Sequence, residues 1–356
     1  MKGFASDNYA AAHPEVLAAI AAANEGHAAA YGADPWTARA EELLREHFGE
    51  QAQSLLVFNG SAANVLCLRA LCRPWESVIC AAQAHINVDE GGAPERIAGV
   101  KLHAVPTPDA KLTPELVAAQ LGRRGDEHAV QPRVVSVTQS TELGTRYSCD
   151  ELSALSGFAH EHGLLLHVDG ARLANAAVAL DVPLRAITTD AGVDAVSFGG
   201  TKNGLLLGEA VVFCDPAHAG GAKYLRKQTL QLASKGRFLA AQFIALLEGD
   251  LWRRNAAHAN TMAARLAEAL LDVPGVRLTQ PVQANGVFAV LPPGATEELQ
   301  RDWRFYTWDE TTDEVRLMCS WDTTAEEVDA FAADVARACA SAPARLGPGG
   351  ARHTAD

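Results

Sequence analysis

A lysine in a glycine-rich turn and an aspartate closing an apolar run are the residues of this chain best suited to chemistry. The lysine is Lys202, in Ser197-Phe198-Gly199-Gly200-Thr201-Lys202-Asn203-Gly204, just after the run Val193 to Phe198. The aspartate is Asp169, in His167-Val168-Asp169-Gly170-Ala171-Arg172, at the end of the run Leu164 to Val168. A lysine amine can form a Schiff base with a carbonyl, and a carboxylate beside a pyridine nitrogen keeps that nitrogen protonated. These are the two services that pyridoxal phosphate chemistry needs, with the ring as electron sink. Their offset of 33 residues suits one strand–helix–strand step, which places both at neighbouring strand ends on one edge of a sheet. Each residue alone has an ordinary reading. Lysines are mostly solvated, and Asp169 could cap a helix from Ala171. The pairing, and glycines that let a flat cofactor approach the backbone, favour chemistry.

The elements around them follow an α/β alternation. Strands are expected at 55–58, 77–80, 101–105, 134–137, 164–168, 195–198 and 210–213, several of them unbroken apolar runs typical of strands buried on both faces. Helices are expected between them, such as 34–47, with Asp34 as cap and Pro35 in its first turn, and 149–162, stopped by Gly163. Beyond Phe213 the pattern shifts to long helices at 222–232, 236–248 and 253–271, then strands at 287–291 and 315–318 and a helix from 324 to about 340. The expected organisation is a large domain over 1–250 with an N-terminal arm over 1–15. A small C-terminal domain over 251–340 and a disordered tail over 341–356 complete it.

Composition narrows the function classes. The chain has 356 residues, 48% hydrophobic and 21% charged, enough for a sizeable core. A net charge of −13 argues against nucleic acid or an anionic membrane as the main partner. No run approaches a membrane span. Seven cysteines without zinc-type spacing fit a reducing cytoplasm, and no metal site is expected. Cys67, Cys72, Cys80 and Cys214 read as small buried hydrophobes. The segment Asn59-Gly60-Ser61-Ala62-Ala63-Asn64 lacks G-x-G-x-x-G spacing, which weighs against a dinucleotide-binding oxidoreductase.

Further side chains are candidates on their own terms. Gly60 and Ser61 open a helix after a strand, where free N–H groups suit a phosphate, although Ser61 could be an ordinary cap. Arg172 and Arg316 carry forks that match a carboxylate, and Arg316 sits on an apolar strand, unusual for a solvated arginine. Glu90 and Asp89 are read as starting the next helix, where carboxylates suit its dipole. Lys227, Lys235 and Arg237 form a basic cluster, ordinarily a solvated helix face.

With Ser6-Asp7-Asn8, Tyr31-Gly32, His85-Ile86-Asn87, Thr201-Lys202-Asn203-Gly204 and Val315-Arg316-Leu317, these motifs resemble the low-specificity L-threonine aldolases. Those are pyridoxal phosphate enzymes of the β-eliminating-lyase group, and the phenylserine-aldolase branch is especially similar. The similarity runs from about Phe4 to about Ala340.

The resemblance implies a PLP-dependent transferase-like fold of the aspartate aminotransferase type, with a mainly parallel sheet and a small α+β domain. It implies Lys202, His85 and Asp169 as catalytic residues, with the His85 ring stacked on the pyridine. Gly60, Ser61 and Thr201 would serve the phosphate, joined by Lys227 and Arg237 near a subunit interface. Ser6, Arg172 and Arg316 would hold the substrate carboxylate, Arg172 also touching the cofactor, and Tyr31 would reach substrate across the interface. The implied reaction is retro-aldol cleavage of L-threonine, L-allo-threonine or L-phenylserine to glycine and an aldehyde, in homodimers or homotetramers with shared sites. A β-eliminating lyase or racemase acting at the same carbon, and a non-catalytic cofactor-binding regulator, are the alternatives.

One departure stands out. Many family members carry Glu-Asn-Thr-His-Asn after the strand at 134–137, and this chain has Thr138-Gln139-Ser140-Thr141-Glu142-Leu143-Gly144. That leaves Glu142, His85 or a held water as the base for the substrate hydroxyl.

Overall fold

The apolar runs assemble, in a computed structural model describing residues 3–341, into a seven-stranded sheet. Its strands are β1 (Gln53–Val57), β2 (Glu76–Ala81), β3 (Lys101–Val105), β4 (Gln131–Thr138), β5 (Leu165–Gly170), β6 (Ala195–Gly199) and β7 (Glu209–Phe213). The spatial order is β1-β7-β6-β5-β4-β2-β3. The run from β6 to β3 is parallel, whereas β7 lies antiparallel between β6 and β1. β5, β6 and β7 are buried along their whole lengths because helices cover both faces.

Local chemistry explains the helix ends. Asp34 accepts from the Thr37 N–H at 2.9 Å and caps Pro35–Phe48. A reciprocal Ser148–Glu151 capping box starts Cys149–Glu161. The helix expected over 222–232 stops at Gln228, and Leu230 takes a left-handed φ of 65° that a helix cannot continue. Asp89 and Glu90 start no helix: they follow the short helix His85–Val88, and the next helical turn is Pro94–Ala98. Cys67, Cys80 and Cys214 are buried, with burial pushing each thiol up to about 12, while Cys72 is partly exposed.

A second, antiparallel sheet orders β10 (Tyr306–Asp309), β11 (Glu314–Met318), β9 (Gly286–Val290) and β8 (Arg277–Leu278). Its core joins the helices Leu251–Leu271 and Ala325–Ser341. The long helix Leu251–Leu271 links the two parts: Leu251, Trp252 and Ala256 pack in the large core, and Met262 to Leu270 in the small one. Phe4 packs in this second core against Trp303 and Phe331, and its carbonyl accepts from the Met318 N–H at 2.7 Å. The expected tail lies outside the described residues from 342 onward; Ser341 ends the last helix. Among the described residues no helix is long and apolar enough to cross a membrane.

Candidate active site

β5 and β6 are parallel neighbours, with Asp169 opposite Ser197, so the two key motifs leave the sheet side by side. Asp169 is 5% exposed and caps no helix, since the next one begins at Leu173. One of its oxygens accepts from the Ala171 N–H at 3.0 Å, the other from Asn64 Nδ2 at 2.7 Å. Asn64 lies on the helix Gly60–Leu71, which packs on β5, β6 and β7. Beneath Asp169, His167 bridges Ser136 on β4 at 2.9 Å and Ser197 on β6 at 3.1 Å. Burial lowers His167 to about 4, so its ring is a neutral tie between strands.

The Lys202 turn is held from β7. Glu209 accepts from the Gly200 N–H at 2.7 Å, and Thr201 Oγ1 accepts from the Gly208 N–H at 3.1 Å. Burial pushes Glu209 up to about 7, and Lys202 pulls it the other way. Lys202 itself is lowered, first by burial and then by Arg172, against the pull of Asp7, Asp169 and Glu209. A lowered amine has more of its nucleophilic neutral form at physiological pH.

Asn64 also donates to Glu90 Oε1 at 2.8 Å, and that oxygen pairs with His85 Nδ1 at 3.0 Å. The Glu90 bond raises His85 despite its burial. Asp169, Asn64, Glu90 and His85 thus form one chain of contacts, fixing the imidazole relative to the aspartate.

Lys202, His85 and Arg172 open onto a cleft of about 160 Å³ shared with Ser6, Asn8, Glu142, Asn285, Phe288, Trp308, Arg316 and Met318. Arg172 grips Asp7 through two bonds of 2.7 and 2.9 Å, and Asn285 supports Asp7 at 3.1 Å. Burial pushes Asp7 up, but Arg172 and then Lys202 bring it below the usual carboxylate range. Arg316 lies over the Trp308 and Tyr306 rings at 4.5 and 5.5 Å and donates to the Ala5 carbonyl at 3.2 Å. Burial, then repulsion from Arg172, lowers it to about 10, and its Nε is buried without a partner. A bound carboxylate would supply both the missing acceptor and the missing negative charge.

Pyridoxal phosphate fits these residues. Lys202 and Asp169 stand at adjacent strand ends, and buried polar atoms lacking partners gather here: Glu90 Oε2, Glu142 Oε2, Asn285 Oδ1 and Arg316 Nε. Asn59, not Ser61, caps the helix Gly60–Leu71, accepting from the Ala62 N–H at 2.9 Å. Ser61 is thereby released, and a Cβ at Gly60 would meet nothing within 4 Å, so this helix start faces open space.

Tyr31, Lys227 and Arg237 stand apart from the cleft lining. Lys227 lies over the Tyr31 ring at 5.4 Å, and Arg237 donates to the Glu25 and Gly26 carbonyls, each at 3.2 Å. The chain alone thus does not bring these three to the Lys202 cleft. Sequence reasoning passed over Asn64, Glu90, Asp7, Asn285, Phe288 and Trp308 as site residues. Asp7 and Asn64 lay inside the quoted motifs; the others carried no local signal.

The comparisons with known proteins agree with this geometry. The β-eliminating lyase family model matches residues 3–292. The low specificity L-threonine aldolase of Pseudomonas aeruginosa is 49% identical over 93% of this chain and 96% of its own length. That of Pseudomonas sp. is 47% identical with the same coverage. A solved structure of Leishmania major threonine aldolase superposes with a TM-score of 0.90 at 34% identity, covering 95% of this chain and 99% of that one. The chain belongs to the β-eliminating lyase family, among the threonine aldolases, whose cofactor is pyridoxal phosphate.

Proposed function

We propose that the protein cleaves L-β-hydroxy-α-amino acids, with L-threonine, L-allo-threonine and L-phenylserine as substrates, to glycine and an aldehyde. The observation that carries this reading is the meeting of Lys202, two guanidiniums and the half-buried Glu142 carboxylate in one cleft with an aromatic wall. Pyridoxal phosphate, when bound, supplies the carbonyl that Lys202 captures and the ring that draws electron density from the substrate α-carbon. Asp169 would hold the ring nitrogen, His85 the ring face, and Gly60, Ser61 and Thr201 the phosphate.

Arg316, Arg172 and Ser6 bind and orient the substrate carboxylate. Fixing that group fixes rotation about the bond from nitrogen to Cα, and so selects which bond at Cα breaks. Phe288 and Trp308 meet edge to face, 5.7 Å between centroids, and with Met318 offer an apolar surface to the departing aldehyde. A phenyl group suits that surface as well as a methyl does. Two or four copies would share sites, with Tyr31, Lys227 and Arg237 serving across the interface. The seven free cysteines suit a cytoplasmic location.

The test is release of glycine and aldehyde from L-threonine and L-threo-phenylserine by the wild type and by Lys202→Ala. Both products from the wild type alone are expected. Ammonia with a keto acid, or inverted amino acid without aldehyde, would sink the aldolase reading.

A further inference from the structure

Resting on the aldolase reading, we propose that Glu142 is the base that takes the proton from the substrate β-hydroxyl. Its side chain lines the cleft with Lys202, Arg172 and Arg316. Oε1 is saturated, accepting from the His85 N–H at 2.8 Å and from Thr138 Oγ1 at 2.7 Å. Oε2 is buried and has no partner. A buried carboxylate oxygen without a donor is costly to keep. A substrate hydroxyl is the donor that would satisfy it, and the two bonds on Oε1 fix where Oε2 lies.

The other proton acceptors around the cleft are less suited. Asp89 is exposed, so water competes with substrate for its carboxylate oxygens. His85 has Nδ1 committed to Glu90, and that same bond raises it, so it tends to keep its proton. Glu142 is pushed the useful way for a carboxylate. Burial raises it to about 7, Asp169 adds to the rise, and the Thr138 and His85 bonds hold it from going higher. A base titrating there suits proton transfer near neutral pH. The groups facing it are Thr138 at the end of β4, Asp169 on β5 and Arg172 just beyond it, His85 on its short helix, Cys80 on β2, and the Tyr147 hydroxyl. Lys202, Asp89 and Arg316 face it across the cleft.

The step balances within the substrate. The O–H proton passes to Oε2 and the O–H pair becomes the second bond of the carbonyl. The Cα–Cβ bond breaks, and its pair stays with Cα, which gains a proton to become glycine. One proton leaves oxygen and one reaches carbon, so no outside reagent is consumed.

The test is Glu142→Gln in the holoenzyme. Its kcat for aldehyde release from L-threonine should fall about 10²- to 10⁴-fold. The wild-type rate should rise with pH through about 7 and then level off, because the deprotonated form is the active one, and the variant should lack that rise. Exchange of the glycine α-proton with deuterated water needs no hydroxyl proton and should change little. Glu142→His, which restores a base, should recover part of the cleavage rate. Infrared difference titration provides a readout apart from activity: Glu142 and Glu209 both contribute carboxyl absorbance titrating near 7 in the wild type, and Glu142→Gln should lose the Glu142 part and keep that of Glu209. Unchanged kcat and pH profile in Glu142→Gln, or equal losses of cleavage and exchange, would overturn the assignment and leave the aldolase reading standing. No aldehyde from the wild type would overturn both.

Discussion

Arg316 shows most directly how a single side chain is prepared for a ligand. It is a cation set between the apolar Val315 and Leu317 of its strand, flanked by Trp308 and Tyr306, with a buried Nε that nothing satisfies. Its value of about 10 still leaves it charged at neutral pH. Losing a charge-assisted hydrogen bond to a carboxylate costs about 1.5–3 kcal/mol, so Arg316→Ala should raise KM for L-threonine about 10- to 100-fold. Steady-state kinetics would check this, and an unchanged KM would remove Arg316 from the carboxylate site. Lys202, Asp169 and Arg316 were legible in the sequence because a polar side chain ending or interrupting an apolar run is conspicuous. Glu90 was misread as a helix-starting carboxylate because its partners, Asn64 and His85, lie on other elements.

At the scale of elements, the contact between β5, β6 and the lysine turn decides whether the site can form. A Cβ on Gly199 would sit 2.5 Å from the Ala171 carbonyl oxygen, a backbone atom that cannot turn aside. Gly199→Ala must therefore push the Asp169 and Lys202 motifs apart, costing about 1–3 kcal/mol as an overpacked position does. Gly60→Ala provides the contrast, since open space lies at that position and its fold should be unharmed. Thermal melts should show a lower Tm for Gly199→Ala and little change for Gly60→Ala. Covalent cofactor retained after borohydride reduction should fall in Gly199→Ala. An unaltered Tm in Gly199→Ala would mean the turn can yield. Strand positions were readable to within a few residues from buried apolar runs, as at Ala195–Gly199. The antiparallel seating of β7 was not, because a wholly buried strand is apolar whichever way it runs.

At the scale of the whole molecule, the cleft is assembled from distant pieces. Ser6 and Asn8 come from the N-terminal arm, Arg172 and Lys202 from the large sheet, Asn285, Phe288, Trp308 and Arg316 from around the small one. Phe4 anchors the arm in the small core, which explains how the first residues reach the site. Tyr31, 56% exposed, and Leu230, 84% exposed, accompany Lys227 outside the cleft, on a face that an oligomer would cover. Sedimentation of the holoenzyme should give two or four times the 37.6 kDa chain mass. A monomer retaining full activity would refute the shared-site proposal.

The sequence by itself determined the parts whose signal is local: the apolar runs, the capped helices, the lysine turn, the aspartate at a strand end and the arginine on an apolar strand. Those features depend on neighbours a few residues away, so spacing and residue type suffice. The tertiary structure alone decided which polar groups meet. It joined Arg172 to Asp7 across 165 residues and Asn64 to Asp169 across 105, and it left one oxygen of Glu142 buried and unpaired beside Lys202. Charge, burial and proton affinity are set by what lies within a few ångströms, and for this cleft those neighbours come from every part of the chain.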